Sequence, residues 1–227
     1  MKDLLILGID TSGKTASVSL YENGIIIGEN SIYTSRTHSQ VILPLCKRLL
    51  SDCGKELSDV DRIAVADGPG SYTGLRIGIS AVKAMTFALD KECCGISTLE
   101  GLAYNLSCVS GYICPVMKAR QDLVYTGLFF SEAGNIRRKA EDRIISMSEL
   151  DDILSGLDKP VYINGDGAET FLSEYPGENQ FIAPPQLRLQ NASGLCLACL
   201  HHKAQTPDEL EARYLQLVKA EKDLINS

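Results

Sequence analysis

The stretch Ala16-Ser17-Val18-Ser19-Leu20-Tyr21-Glu22-Asn23-Gly24-Ile25-Ile26-Ile27 constrains this chain more than any other. Ala16, Val18 and Leu20 alternate with Ser17, Ser19 and Tyr21, the period of two expected of a half-buried strand. Asn23-Gly24 is the strongest two-residue hairpin signal, because a type I′ turn needs positive φ at both central residues. Leu4 to Ile9 is a short apolar run that reads as a buried strand. Three strands joined by tight turns therefore open the chain. That opening decides how to read Gly8-Ile9-Asp10-Thr11-Ser12-Gly13-Lys14-Thr15, which satisfies the phosphate-loop pattern G-x-x-x-x-G-K-[ST]. A phosphate loop hands its ligand to the N-terminus of a following helix. Here a strand follows, and "ASVSLYE" is a weak helix former whose serines compete for backbone hydrogen bonds. Even with "IAVAD" ending at Asp67 in the manner of a second acidic motif, the octet is a coincidence of letters.

The chain has 227 residues, enough for one large domain or two small ones with real cores. Hydrophobic residues make up 44% and charged residues 22%, the balance of a globular protein without a membrane span. A formal net charge of -7 is a poor match for nucleic acid or anionic lipid. A role on nucleic acid would then draw its basic surface from another subunit. The apolar run in MKDLLILGID is too short for a signal peptide, and no run approaches about 18 apolar residues, so a cytoplasmic location is expected. The eight cysteines are scattered through apolar runs and read as buried reduced thiols. Cys196 and Cys199 form one C-x-x-C before His201 and His202, but a zinc site needs a second ligand pair, so no metal site is predicted.

Residues 38 to 53 carry Val41, Ile42, Leu45, Cys46, Leu49 and Leu50 at helical spacing, with Pro44 expected to kink the helix or tighten its first turns. A buried strand at 62 to 67, the glycine-rich turn "GPGSYTG", a helix at 73 to 89, the strand "CCGIS" and a helix capped by Thr98 and running to about Cys108 follow. The second half repeats the order. It has strands at "YICPVMKA" and "DLVYTGLFF", a third near Arg143 to Met147, and a helix started by Ser148. The strand "VYINGDGAE" then leads into a turn with Asp166 as N-cap, and "NASGLCLACLHHK" forms another helix. The layout is a duplicated α/β fold with a mixed sheet in each half. Residues 1–109 form a first lobe, 110–203 a second, and 204–227 a tail.

"VADGPGSYTGLRIGISAVKAMTFAL" resembles the signature of the TsaB (YeaZ) family, and "ILGIDTSGKTASVSL", "THSQVILPLCKRLL" and "ARYLQ" sit where that family has its other conserved segments. The resemblance is strong over residues 4 to 90 and weak after about 185. It implies a two-lobed actin-like fold and a non-catalytic subunit in tRNA threonylcarbamoyladenosine formation. It also implies pairing with the catalytic subunit TsaD, association with the ATPase subunit TsaE, contact with tRNA only through the complex, and no membrane. A homodimer is the other use of the same surface. No tightly bound cofactor is implied, with ATP or ADP at or near the partner interface as the one nucleotide expectation. An ATP-dependent small-molecule kinase of the actin-like superfamily is the enzyme alternative. A peptidase is disfavoured, because no nucleophile and base are readable as a pair.

In that superfamily the first hairpin of each half approaches nucleotide phosphates, so Asp10, Thr11 and Ser12 are candidate residual contacts. Gly70, Ser71 and Thr73 join them as amides at a helix N-terminus. The catalytic relative holds its metal with an H-x-x-x-H pair. His38, His201 and His202 cannot supply one, and His38 fits a polar helix start. Lys118-Ala119-Arg120 stands where relatives carry Asp-Ala-Arg. The partner surface is expected on Val41, Ile42, Leu45 and Leu49 of the first helix. On the second helix it is expected on Gly74, Ile77, Gly78, Ala81, Ala84, Met85 and Ala88, where small side chains admit another helix closely.

Overall fold

The computed structural model describes residues 4–34 and 36–215. Residues 216–227 of the expected tail, and Gln216 of "ARYLQ", lie outside the described residues. The first lobe begins with β1 (Leu5–Asp10), β2 (Thr15–Glu22) and β3 (Ile25–Tyr33). Asn23 and Gly24 both take positive φ, as the tight turn these residue types favour requires. Next come α1 (His38–Asp52), β4 (Arg62–Gly68), α2 (Tyr72–Leu89), β5 (Glu92–Ser97) and α3 (Thr98–Tyr104). Helix α1 runs unbroken through Pro44. The sheet order is β3-β2-β1-β4-β5, antiparallel across the hairpins and parallel from β1 onward.

The second lobe contains β6 (Gly111–Lys118), β7 (Leu123–Glu132), β8 (Asn135–Ser146), α4 (Met147–Ser155), β9 (Val161–Asn164), α5 (Ala168–Glu174), β10 (Gln180–Ile182) and α6 (Pro185–Arg188). Its order β10-β9-β6-β7-β8 repeats the first sheet's hairpin-then-crossover plan. Three local expectations need correction. The third strand starts eight residues earlier than Arg143, because β8 extends the β7 hairpin back to Asn135. Ser97 and Ser146, not Thr98 and Ser148, accept the capping N–H bonds at α3 and α4. Asp166 does not cap α5. Its Oδ1 instead accepts the backbone N–H of Lys118 at 2.9 Å, and Gly167 is the N-cap.

Helix α7 (Ala192–Cys199) lies on the first sheet, although the second lobe was expected to run to residue 203. It covers the face opposite α1 and α2. Consequently β1 divides its side chains between two cores. Leu5, Leu7 and Ile9 pack toward α1 and α2, whereas Ile6 packs with Leu195, Cys196 and Cys199. The same layer buries the polar face of β2, which the alternation had placed at a surface. Ser17 and Ser19 are fully buried and hydrogen-bonded, Ser17 to Ser31 at 2.7 Å and Ser19 to the Gly28 carbonyl at 3.2 Å. Residues 204–215, expected as tail, also return to the first lobe. Gln205 bridges Cys93, and Leu210 is buried in the α1–α2 core. No helix among the described residues is long and apolar enough to cross a membrane.

Candidate functional site

The predicted phosphate contacts meet at one place, where the β1–β2 turn locks to the start of α2. Asp10 is 2% exposed. Its Oδ1 accepts both the backbone N–H of Ser12 at 2.8 Å and the Ser12 hydroxyl at 2.6 Å. Burial raises its pKa, and the Ser12 bonds oppose that rise. The Thr11 hydroxyl donates to the Gly74 carbonyl at 2.7 Å, and the Ser71 N–H donates to the Ser12 carbonyl at 2.7 Å. Ser71 Oγ accepts the Gly74 N–H at 3.2 Å as the α2 cap. Of the groups expected to face a phosphate, Asp10, Ser12 and the Ser71 amide are thus bonded to one another, and Thr11 to Gly74. Ser71 and Thr73 are exposed and Gly70 is half-buried, but the Ser71 amide is engaged.

The glycines of the motif follow from this lock. A Cβ on Gly70 would sit 2.5 Å from the Ser12 carbonyl oxygen. A Cβ on Gly74 would collide with the Thr11 carbonyl oxygen, and one on Gly78 with the Thr11 hydroxyl. Close backbone approach is what requires glycine here. His38, the first residue of α1, adds a third tie through Nε2 to the Gly13 carbonyl at 2.8 Å. The helix-start position was readable from the sequence; its contact with the octet was not, because it spans 25 residues.

Gly74 and Gly78 therefore leave the predicted partner face, since they point at Thr11. Ile42, Leu45, Leu49 and Met85 leave it too, because the first core buries them. Val41, Ile77 and Ala81 are half-buried against that core, and Ala84 and Ala88 are exposed. The open face also includes residues the periodicity did not single out. Leu43 is 50% exposed, Tyr72 40% and Phe87 83%. Leu43, Tyr72, Ile77 and Ala81 line one groove of about 600 Å³ between α1 and α2. A second, of about 500 Å³, continues along Leu43, Ala84 and Ala88.

The C-terminal segment braces the N-terminal end of this face. The Arg213 guanidinium donates to Asp67 Oδ1 at 2.7 Å, and the Arg213 N–H to the Asp67 carbonyl at 2.7 Å. Burial pushes the Asp67 carboxyl up to about 6, against the pull of Arg213. Tyr214 packs on Tyr72 with ring centroids 5.1 Å apart and accepts from Arg76 Nε at 3.3 Å. Cys196 Sγ lies under Ile6 and Ser19, Cys199 is buried, His202 bonds Glu100 at 2.9 Å, and His201 stacks on Tyr104.

The profile of the family described as "TsaD: tRNA N6-adenosine threonylcarbamoyltransferase" matches residues 30–195. The chain is 32% identical over 227 residues to the "tRNA threonylcarbamoyladenosine biosynthesis protein TsaB" of Bacillus subtilis (strain 168), covering 99% of each. Among solved structures, "YeaZ from Pseudomonas aeruginosa" superposes with a TM-score of 0.79 at 26% identity, covering 95% of this chain and 100% of that one. The ethanolamine utilization protein EutJ of Carboxydothermus hydrogenoformans, at 13% identity, shares the fold alone, with a TM-score of 0.50 and coverage of 87% and 90%. The architecture is the two-lobed actin-like α/β fold expected from the sequence. With a full-length relative at 32% identity and a matching structure over nearly its whole length, the chain belongs to the TsaB (YeaZ) family.

Proposed function

We propose that this chain is a non-catalytic subunit of tRNA threonylcarbamoyladenosine biosynthesis, and that it pairs with the catalytic subunit TsaD through the α1–α2 face. The family's role in that biosynthesis is carried by the names of its relatives. The pairing is supported chiefly by one observation. Two helices leave Leu43, Tyr72 and Phe87 open beside a strip of alanines, in a chain whose other large apolar helix residues are mostly buried. A face of this kind is characteristic of protein–protein contact. TsaE and tRNA would then be reached through the assembled complex, in keeping with the acidic charge of this chain.

The non-catalytic reading draws on the locked turn. A kinase of this fold would need Asp10 open to a nucleotide-bound metal. Here the carboxyl is buried and bonded to Ser12. The decisive experiment is co-purification of TsaD with Ala81→Arg and Ala84→Arg. Both sites border the grooves. Both variants should lose TsaD, and Ala84→Arg, at an exposed site, should keep the monomer's melting behaviour. Retention of TsaD by both would refute this interface, and turnover of ATP by the isolated chain would refute the non-catalytic role.

A further inference from the structure

Helix α7 ends at Cys199, over the part of the first sheet that carries Cys94. The β4–β5 register sets Arg62 beside Glu92 and Ala64 beside Cys94, so Arg62 and Cys94 face the same layer. Cys93 faces the opposite core, and Cys196 Sγ points at the Ile6 and Ser19 carbonyls. Cys94 and Cys199 meet at their sulfurs, where the Cys94 S–H donates to Cys199. Cys94 Sγ also lies 3.7 Å from the Lys203 carbonyl, in the stretch that follows α7. Both cysteines are free thiols, although 105 residues of sequence separate them.

Arg62 is the second observation. One guanidinium nitrogen pairs with Glu92 at 2.9 Å, but Nε is buried without a hydrogen-bond partner. Buried donors of this kind are rare in native structures and call for an acceptor. The same guanidinium lies against the Cys199 sulfur, and His202 adds positive charge beside it. The Cys199 thiol is held below its ordinary range by the Cys94 donation and then by Arg62 and His202, against the opposing effect of burial. Cys94 is pushed up by the same donation and by burial. The pair therefore divides its roles: Cys199 ionises first and Cys94 keeps its proton. Arg62 and His202 are half-buried, so one side-chain layer separates Cys199 from water. A small oxidant fits that approach, and another protein's thiol does not.

We propose that Cys94 and Cys199 are a redox pair, which a hydroperoxide joins in a disulfide that fastens the end of α7 to β5. The Cys199 thiolate attacks one oxygen of hydrogen peroxide. The O–O bond breaks, hydroxide leaves and takes up a proton as water, and Cys199 becomes a sulfenic acid. The Cys94 sulfur then attacks the Cys199 sulfur. The S–S bond forms, the S–O bond breaks, and hydroxide leaves with the Cys94 proton as a second water. Two thiols are oxidised and one peroxide is reduced to two waters. Gln205 already pairs with Cys93 on β5, so the link tightens a stretch that leads on to Arg213 and Tyr214. The pair is independent of docking at α1 and α2.

The test is hydrogen peroxide oxidation of the full chain, reduced with dithiothreitol and desalted before treatment. Remaining thiols are capped with N-ethylmaleimide in urea, and peptides are mapped by mass spectrometry without reduction. Cys94 and Cys199 should escape capping as a linked pair. The melting temperature should rise by about 5–15 °C, the effect of closing a long loop, and return with dithiothreitol. Cys94→Ser should leave Cys199 at the sulfenic acid, captured by dimedone, and Cys199→Ser should leave Cys94 a free thiol. Cys114→Ser, in the core of the second lobe, should link as the parent chain does. The peptide map of the parent chain needs no variant, so a substitution that fails to fold leaves it decisive. Oxidation of the exposed Cys108 with Cys94 and Cys199 both still capped would overturn the proposal. Linkage of Cys199 to Cys196 or Cys93 instead would also overturn it.

Discussion

Gly74→Ala tests the lock between the β1–β2 turn and α2, because two principles give opposite signs. Helix propensity alone says that alanine in place of a helical glycine stabilises by about 1 kcal/mol. The structure says otherwise. The new Cβ would enter the Thr11 carbonyl oxygen, a backbone atom held by β1, so either the turn or α2 must shift. Overpacking of this kind costs about 1–3 kcal/mol. The shift also stretches the Thr11 hydroxyl bond to the Gly74 carbonyl, worth about 1 kcal/mol. Subtracting the propensity gain leaves a net loss of about 1–3 kcal/mol. With a urea m-value of about 2 kcal/mol/M, the unfolding midpoint should fall by about 0.5–1.5 M. Ala84→Gly is the control on the same helix. Ala84 is exposed, so propensity alone applies and about 1 kcal/mol should be lost. Urea unfolding followed by circular dichroism measures both. A Gly74→Ala midpoint at or above that of the parent chain would refute the lock as the reason for this glycine.

Two further outcomes follow from the same geometry. Phe87→Glu and Leu43→Glu should weaken TsaD capture by about 100-fold each, as for buried interface anchors, without lowering the monomer's melting temperature; surface plasmon resonance with immobilised TsaD would show it. Asp67 has a folded pKa of about 6, above its ordinary value of 3.8, so the native state holds its proton more tightly than the unfolded state. Its contribution to stability therefore falls as pH rises from about 4 to 6, by about 2–3 kcal/mol, and stays at its minimum above that window. Asp67→Asn should remove this slope and stabilise the chain at pH 7.5, and urea midpoints at pH 4.5 and 7.5 would check both claims.

The sequence revealed what is local. The opening hairpins, the helices over α1 and α2, and the repeated order of elements all come from short-range periodicity and turn chemistry. It did not reveal which layer each helix joins. "GLCLAC" is apolar all round, so its helix was readable, but nothing in it says that it returns to the first sheet. Leu210 sits in a charged stretch that reads as tail, yet one buried leucine and an Arg213–Asp67 pair fix that stretch to the core. The partner face shows the same limit. Helical spacing identified residues that share a side, but Ile42, Leu45 and Leu49 face inward and Leu43 outward because of how α1 settles on β2. Periodicity gives the stripe, and tertiary packing decides whether water or a sheet covers it.

The octet at residues 8–15 shows how far identical letters can diverge in physical use. In a phosphate loop, glycines let backbone amides approach an anion. Here the approach is between two pieces of the same chain. Gly70 and Gly74 of one motif admit the backbone of Ser12 and Thr11 of the other, and Gly78 admits the Thr11 hydroxyl, so the small residues serve a contact within the chain. This has a consequence for pairing. The start of α2 is held by Thr11 and Ser12, and Tyr214 packs on its Tyr72, which with Ile77 lines the groove toward α1. The docking face proposed here would be aimed by a buried joint about one helix diameter behind it. A residue such as Gly74, which touches no partner, should alter capture by tilting α2. Gly74→Ala should therefore weaken TsaD binding together with stability, whereas Phe87→Glu should weaken binding alone. Loss of binding in Phe87→Glu with unchanged binding in a folded but destabilised Gly74→Ala would show that the joint supports the fold without setting the face.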